Sequence, residues 1–91
     1  MSAPAWRIEF DRAAVRDLRK LGVDAERRVL RYLRERIAGI EDPRRLGHAL
    51  TGDRKGLWRY RVDDYRIVAA IEEERFVVLV VTVGHRREVY R

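Results

Sequence analysis

The stretch Leu57-Trp-Arg-Tyr-Arg-Val-Asp-Asp-Tyr-Arg-Ile-Val-Ala-Ala-Ile71 decides the fold of this chain. Apolar and charged residues alternate on both sides of Asp63-Asp64, which is typical of two half-buried strands joined by a two-residue turn. Such a turn places Arg61 directly opposite Arg66, so both side chains project to one face of the hairpin. Because like charges in facing positions destabilise a sheet, this face is either simply solvated or binds an anion between the two guanidinium groups.

The residues before the hairpin predict one strand followed by two helices. Trp6–Phe10 alternates in polarity as a strand does, and Asp11 follows as a helix N-cap. Apolar residues then recur at helical spacing as far as Gly22, a residue type that ends helices. Asp24 is the predicted N-cap of a second helix, which ends before residue 43.

The rest of the chain completes the predicted sheet. Residues 41–56 contain glycines and a proline and are interpreted as a loop that crosses back to the sheet. Phe76–Val83 is apolar on both faces, as expected of a central strand. The sequence therefore predicts one α+β domain over residues 1–91, in the order β-α-α-β-β-β. A helical hairpin packs on a mainly antiparallel four-stranded sheet.

The composition limits the classes of partner. The net charge is +6, which favours a polyanion and above all nucleic acid. Lys20 and Lys55 are the only lysines, and arginine suits phosphate and base contacts, although a GC-rich genome produces the same bias. The absence of cysteine excludes disulfides and thiolate zinc sites. No apolar run approaches the ~20 residues of a membrane-spanning helix, so we expect no membrane partner, and the lack of cysteine fits the expected cytoplasmic location.

A cluster of functional residues is expected at one end of the sheet. Antiparallel pairing brings the segment after Val83 close to Arg66, which begins the neighbouring strand. The residues that can meet there are Arg59, Arg61, Arg66, His85, Arg86, Arg87 and Tyr90. Arginines bind phosphate, and an aromatic ring can stack on an unpaired base, so the cluster favours single-stranded RNA.

Three segments resemble the RelE/ParE toxin superfamily, on its RelE side. They are Leu50-Thr-Gly52, Gly56-Leu-Trp-Arg-Tyr-Arg-Val-Asp-Asp-Tyr-Arg-Ile-Val68 and Val83-Gly-His-Arg-Arg-Glu-Val-Tyr90. The resemblance implies an endoribonuclease that cuts mRNA in the ribosomal A site without a metal or other cofactor. The ribose 2′-OH attacks the adjacent phosphate and leaves a 2′,3′-cyclic phosphate and a 5′-OH. The resemblance also implies a RelB-like antitoxin that silences the toxin through an acidic or partly disordered segment.

The resemblance also implies roles for individual residues. Arg59 and Arg61 match basic positions of the family, Arg66 its phosphate-binding arginine, Arg86 the arginine near the leaving group and Tyr90 its C-terminal aromatic residue. Lys55 and Arg87 are expected to add RNA contacts. Some RelE toxins carry lysine at positions 59 and 61, and arginine is a poor base because it hardly loses its proton. The candidate general bases are therefore His85 and Tyr90, and the alternative is catalysis that rests on phosphate stabilisation and positioning by the ribosome.

Two other functions share these features. A ParE-like toxin uses the same scaffold to bind and inhibit DNA gyrase, and a degenerate RelE homologue keeps the fold without the activity. Arg86 together with Tyr90 argues against the first, whereas the missing lysines keep the second open as an alternative. His48 has no partner at metal-ligand spacing and is interpreted as a surface residue of the crossing loop.

Overall fold

A computed structural model describes residues 5–89 of the chain and has the predicted α+β class. The elements, in chain order, are β1 (Arg7–Phe10), α1 (Arg12–Leu21), α2 (Val23–Tyr32), β2 (His48–Ala49), β3 (Leu57–Val62), β4 (Tyr65–Glu72), β5 (Val77–His85) and α3 (Arg86–Val89). A π-helical turn, Leu33–Ile37, extends α2. Short 3-10 turns occupy Pro43–Leu46, Gly52–Arg54 and Glu73–Arg75.

The sheet has five strands in the order β1-β5-β4-β3-β2. β1 runs parallel to β5, and the other neighbours are antiparallel. The prediction of four strands is therefore wrong by one, because His48–Ala49, inside the predicted crossing loop, pairs with the outer edge of β3. A strand of two residues is too short to show a hydrophobic period in the sequence.

The two helices are joined more tightly than the sequence predicts. Gly22 ends α1 and also caps α2, with a φ of 93°, a backbone conformation that favours glycine. The second helix therefore starts at Val23, and the prediction of Asp24 as its N-cap is wrong. Asp24 lies within the first turn, where a carboxylate stabilises the positive end of the helix dipole.

The core lies between the helices and one face of the sheet, here called the helix-side face. Val29, Leu33 and Ile37 of the second helix and its π-turn are almost completely buried against Tyr60 and Ile67 of the hairpin. The Tyr60 hydroxyl donates a hydrogen bond of 2.7 Å to the Pro43 carbonyl, which ties the crossing segment to the core. Alternate residues of β3 and β4 project to the opposite face, which carries the predicted arginines.

The far end of β5 has only one strand as neighbour, because β1 ends at Phe10. On the open side, the Asp17 carboxylate of α1 accepts a hydrogen bond of 3.0 Å from the Val83 backbone N–H. A bulge between Val68 and Ala69 leaves Val81 without a partner on β4. Within residues 5–89, no helix is long and apolar enough to cross a membrane.

Candidate active site

The hairpin register predicted from the sequence is confirmed. Val62 pairs with Tyr65, and Arg61 pairs with Arg66 across the Asp63-Asp64 turn. Asp63 has a φ of 54°, in the left-handed region that aspartate tolerates better than most residues. The two arginines therefore stand side by side on the face opposite the helices, here called the arginine face.

Arg61 and Arg66 differ sharply in their surroundings. Arg61 is exposed, whereas Arg66 is only 8% exposed. The Arg66 Nη1 donates hydrogen bonds to the Asp63 carbonyl at 3.0 Å and to the Tyr65 carbonyl at 2.9 Å. The ion pairs found among the described residues leave Arg66 without a carboxylate partner. A buried guanidinium with no counter-ion is a strong attractor for an anionic ligand.

The turn connects Arg66 to two other parts of the molecule. The Asp64 carbonyl accepts a hydrogen bond of 2.8 Å from the Arg86 backbone N–H, where β5 passes into α3. The Asp63 carboxylate lies 3.3 Å from Arg28 Nη1 of α2, in an exposed ion pair. The exposed side chains of Arg86 and Arg87 thus begin next to the turn that holds Arg66.

His85 does not lie on the arginine face. It pairs with Tyr65, so both side chains project to the helix-side face, and their rings meet edge to face with centroids 6.2 Å apart. Its Nδ1 accepts a hydrogen bond of 3.4 Å from the Arg87 backbone N–H. The residue that pairs with Arg66 on β5 is Gly84, which adds no side chain to the arginine face.

The remaining predicted site residues do not all lie near the turn that holds Arg66. Arg59 is half-buried and lies on the arginine face, two positions from Arg61 along β3. Lys55 precedes the other end of β3, about 20 Å from Arg61 at ~3.3 Å per residue, so the fold does not bring it to the turn. Tyr90 lies outside the described residues. No group of three or more His, Asp or Glu side chains in residues 5–89 is arranged to hold a metal ion.

Sequence reasoning overlooked one residue of the arginine face. His48 of β2 pairs with Arg59 of β3, so its imidazole projects to the same face as the arginines. The side chain is exposed. The sequence carries no periodic signal for this position, because the strand has only two residues, His48 and Ala49.

Comparisons with known proteins agree on one family. The model of the family described as ParE toxin of type II toxin–antitoxin system, parDE, matches residues 8–90. The toxin–antitoxin complex RelBE2 of Mycobacterium tuberculosis contains a chain with 26% identity and a TM-score of 0.84, and the match covers 93% of this chain and 95% of that one. No curated protein sequence matches the chain.

Two structures of RelE from E. coli are also similar. The isolated toxin has 28% identity and a TM-score of 0.69, with 94% of this chain and 92% of that chain covered. A mutant of RelE in complex with a peptide of the antitoxin RelBc has 30% identity and a TM-score of 0.68, with 96% and 92% covered. Each of these three matches covers more than nine-tenths of both chains.

Proposed function

Because the chain belongs to the ParE toxin family, within the RelE/ParE superfamily of type II toxin–antitoxin systems, we propose that it is an mRNA-cleaving endoribonuclease of the RelE type. The proposed substrate is mRNA in the ribosomal A site. The proposed location of the protein is therefore the cytoplasm. The proposed reaction needs no cofactor, since the 2′-OH of the substrate is itself the nucleophile.

The observation that carries this proposal is the buried Arg66 beside the exposed Arg61. Hydrogen bonds to two carbonyls occupy Nη1 of Arg66, and the guanidinium has further N–H donors on Nη2 and Nε. A phosphate group has the charge and the geometry to accept hydrogen bonds from such a pair. A desolvated, fixed cation is also the kind of group that stabilises the extra charge of a phosphorane most strongly.

Each residue of the site then has a proposed role in binding the RNA or in the reaction. Arg61 and Arg66 hold the scissile phosphate, and Arg86 stabilises the leaving 5′-oxygen. Arg59 and Arg87 contact the adjoining phosphates, and Lys55 contacts a more distant nucleotide. Tyr90 stacks on or orients the substrate base. These assignments leave the acceptor of the 2′-proton open, because His85 projects away from the arginine face.

The proposed partner is a RelB-like antitoxin with an acidic or partly disordered segment. Its acidic residues would neutralise Arg61 and Arg66 or displace the segment after His85, which would silence the toxin. The charge of +6 supports an acidic partner, and two of the similar structures are described as complexes of a toxin with an antitoxin or an antitoxin peptide.

A second candidate function is inhibition of DNA gyrase by binding. The observation that favours it is the description of the matching family, which names the ParE toxin of parDE. Under this alternative the arginine face would be a binding surface without chemistry.

Expression of the toxin in growing bacteria without its antitoxin separates these functions. We expect transcripts to be cut within minutes while plasmid supercoiling stays unchanged, and the Arg66→Ala variant to leave transcripts intact. Loss of supercoiling with intact transcripts would support gyrase inhibition instead. Growth without either effect would indicate a degenerate toxin.

A further inference from the structure

His48 is fixed in place on the arginine face. Its strand pairs with β3, and the Leu50 backbone N–H donates a hydrogen bond of 2.9 Å to the Leu57 carbonyl. Gly47, just before it, lies so close to the core that an added Cβ would be 3.1 Å from Tyr60 Cε1. Packing of the chain against this ring therefore sets the position of His48, even though its own side chain is exposed.

The imidazole is close to the predicted phosphate-binding arginines. His48 pairs with Arg59, and facing residues of neighbouring strands have Cβ atoms about 5 Å apart. Arg61 is the diagonal neighbour on the same face, and its Arg66 partner is one strand further. Since neighbouring strands are ~4.8 Å apart, an RNA phosphodiester held by Arg61 and Arg66 can lie within reach of the imidazole.

The imidazole of His48 also has no bonding partner among the described residues. Within residues 5–89 it makes no hydrogen bond or ion pair, whereas Nδ1 of His85 accepts the Arg87 N–H and its ring contacts Tyr65. The chain has two histidines, and the one on the arginine face is His48. Histidine is the side chain that most often accepts protons in catalysis near neutral pH.

We propose that His48 is the general base of this enzyme, an assignment that rests on the ribonuclease function proposed above. A neutral imidazole nitrogen takes the proton of the ribose 2′-OH as the 2′-oxygen bonds to phosphorus. The bond from phosphorus to the 5′-oxygen breaks, and the departing oxygen takes a proton from water. The imidazolium then returns its proton to the hydroxide so formed, which restores the enzyme without any redox change.

Single-turnover cleavage of mRNA in ribosomal A-site complexes tests this assignment, with saturating toxin and His48→Gln as the variant. Removal of a general base typically lowers the rate by 10²–10⁴-fold, so we expect a loss of about 100-fold or more in the maximal rate. The toxin concentration for half-maximal rate should change by less than about 3-fold, because His48 acts on the proton and not on the phosphate. Glu74→Gln, at the opposite end of the sheet, is the matched control and should cleave like wild type.

Rescue by added imidazole gives a readout that a merely structural role of His48 would not produce. Because the His48 side chain is exposed, free imidazole can reach the position vacated in His48→Ala, so cleavage by this variant should rise with imidazole concentration. His85→Gln should gain nothing from imidazole, whatever its rate. Equal rates for wild type and His48→Gln would overturn the assignment of His48 while the ribonuclease function stands. Absence of cleavage by the wild type would overturn both.

Discussion

The guanidinium of Arg66 folds back onto the turn that precedes it, where its Nη1 donates a hydrogen bond of 3.0 Å to the Asp63 carbonyl. The same nitrogen also bonds to the Tyr65 carbonyl at 2.9 Å. Both bonds fix the plane of the guanidinium before any ligand arrives. An orientation that is fixed in advance costs nothing when the phosphate binds, which makes Arg66 the more effective of the two facing arginines.

Replacement of Arg66 by methionine should separate stability from activity. The variant loses two hydrogen bonds but also the cost of a buried charge, so the free energy of unfolding should change by no more than about 1 kcal/mol. The cleavage rate should fall by about 100-fold, the usual effect of removing one donor to a developing charge. Urea unfolding and cleavage of A-site mRNA measure the two quantities. If the free energy of unfolding fell by about 3 kcal/mol or more while the cleavage rate stayed unchanged, Arg66 would have a structural role and not a catalytic one.

The conformation of Asp63 should control how Arg66 is held. Its positive φ suits glycine and opposes a β-branched residue. Asp63→Val should therefore lower the free energy of unfolding by about 1–2 kcal/mol and increase amide hydrogen exchange of Arg86, whose N–H bonds to the neighbouring Asp64 carbonyl. Asp63→Gly loses only an exposed ion pair with Arg28, worth less than about 1 kcal/mol, and should protect Arg86 as wild type does. Equal exchange in both variants would show that the turn does not hold this end of β5.

The exposed Arg61 should contribute mainly through its charge. For a single-stranded nucleic acid, each phosphate contact that is lost makes the negative slope of log K against log salt concentration shallower by about 0.7. Binding of a short single-stranded RNA by Arg61→Gln should therefore depend less on salt than wild-type binding by about that amount. Arg75→Gln is the control, because Arg75 pairs with Glu9 and Glu72 at the other end of β4. An unchanged slope for Arg61→Gln would place the RNA elsewhere.

Tyr60 should make the protein sensitive to alkaline pH. Burial raises the pKa of its phenol, Tyr32 and Asp42 raise that pKa further, and Arg44 opposes them. The unfolded chain releases this proton near pH 10 while the folded chain keeps it, so stability is fully present below about pH 10 and falls above it. Tyr60→Phe should lower the free energy of unfolding by about 1–2 kcal/mol at pH 7, through loss of the bond to Pro43. Between pH 9 and 11 the free energy of unfolding of Tyr60→Phe should decrease less than that of wild type, as urea unfolding at each pH would show.

The hairpin could be predicted from the sequence because the information is local. Alternating residues fix which side chains share a face, and a two-residue turn fixes which residues pair, so the facing of Arg61 and Arg66 followed from counting. The apolar stripe of the second helix, from Val29 to Ile40, was equally visible because its residues recur at helical spacing, and Val29, Leu33 and Ile37 of this stripe are buried.

The positions of the two histidines could not be predicted in the same way. The pairing of His48 depends on the packing of Gly47 against Tyr60, a contact between segments distant in sequence. The face of His85 depends on the register between β4 and β5, in which a bulge near Val68 adds one residue to β5 and reverses the alternation beyond it. Neither the two-residue strand nor the bulge leaves a periodic signal in the sequence.

The most direct test is to map the ends of mRNA cut by the purified toxin in translating ribosomes, with Arg66→Ala and Arg75→Gln beside wild type. We predict that wild type and Arg75→Gln leave a 2′,3′-cyclic phosphate and a 5′-OH within A-site codons, whereas Arg66→Ala cuts at least about 100-fold more slowly. Intact mRNA with wild-type toxin, or equal cutting by Arg66→Ala, would contradict the arginine face as an active site.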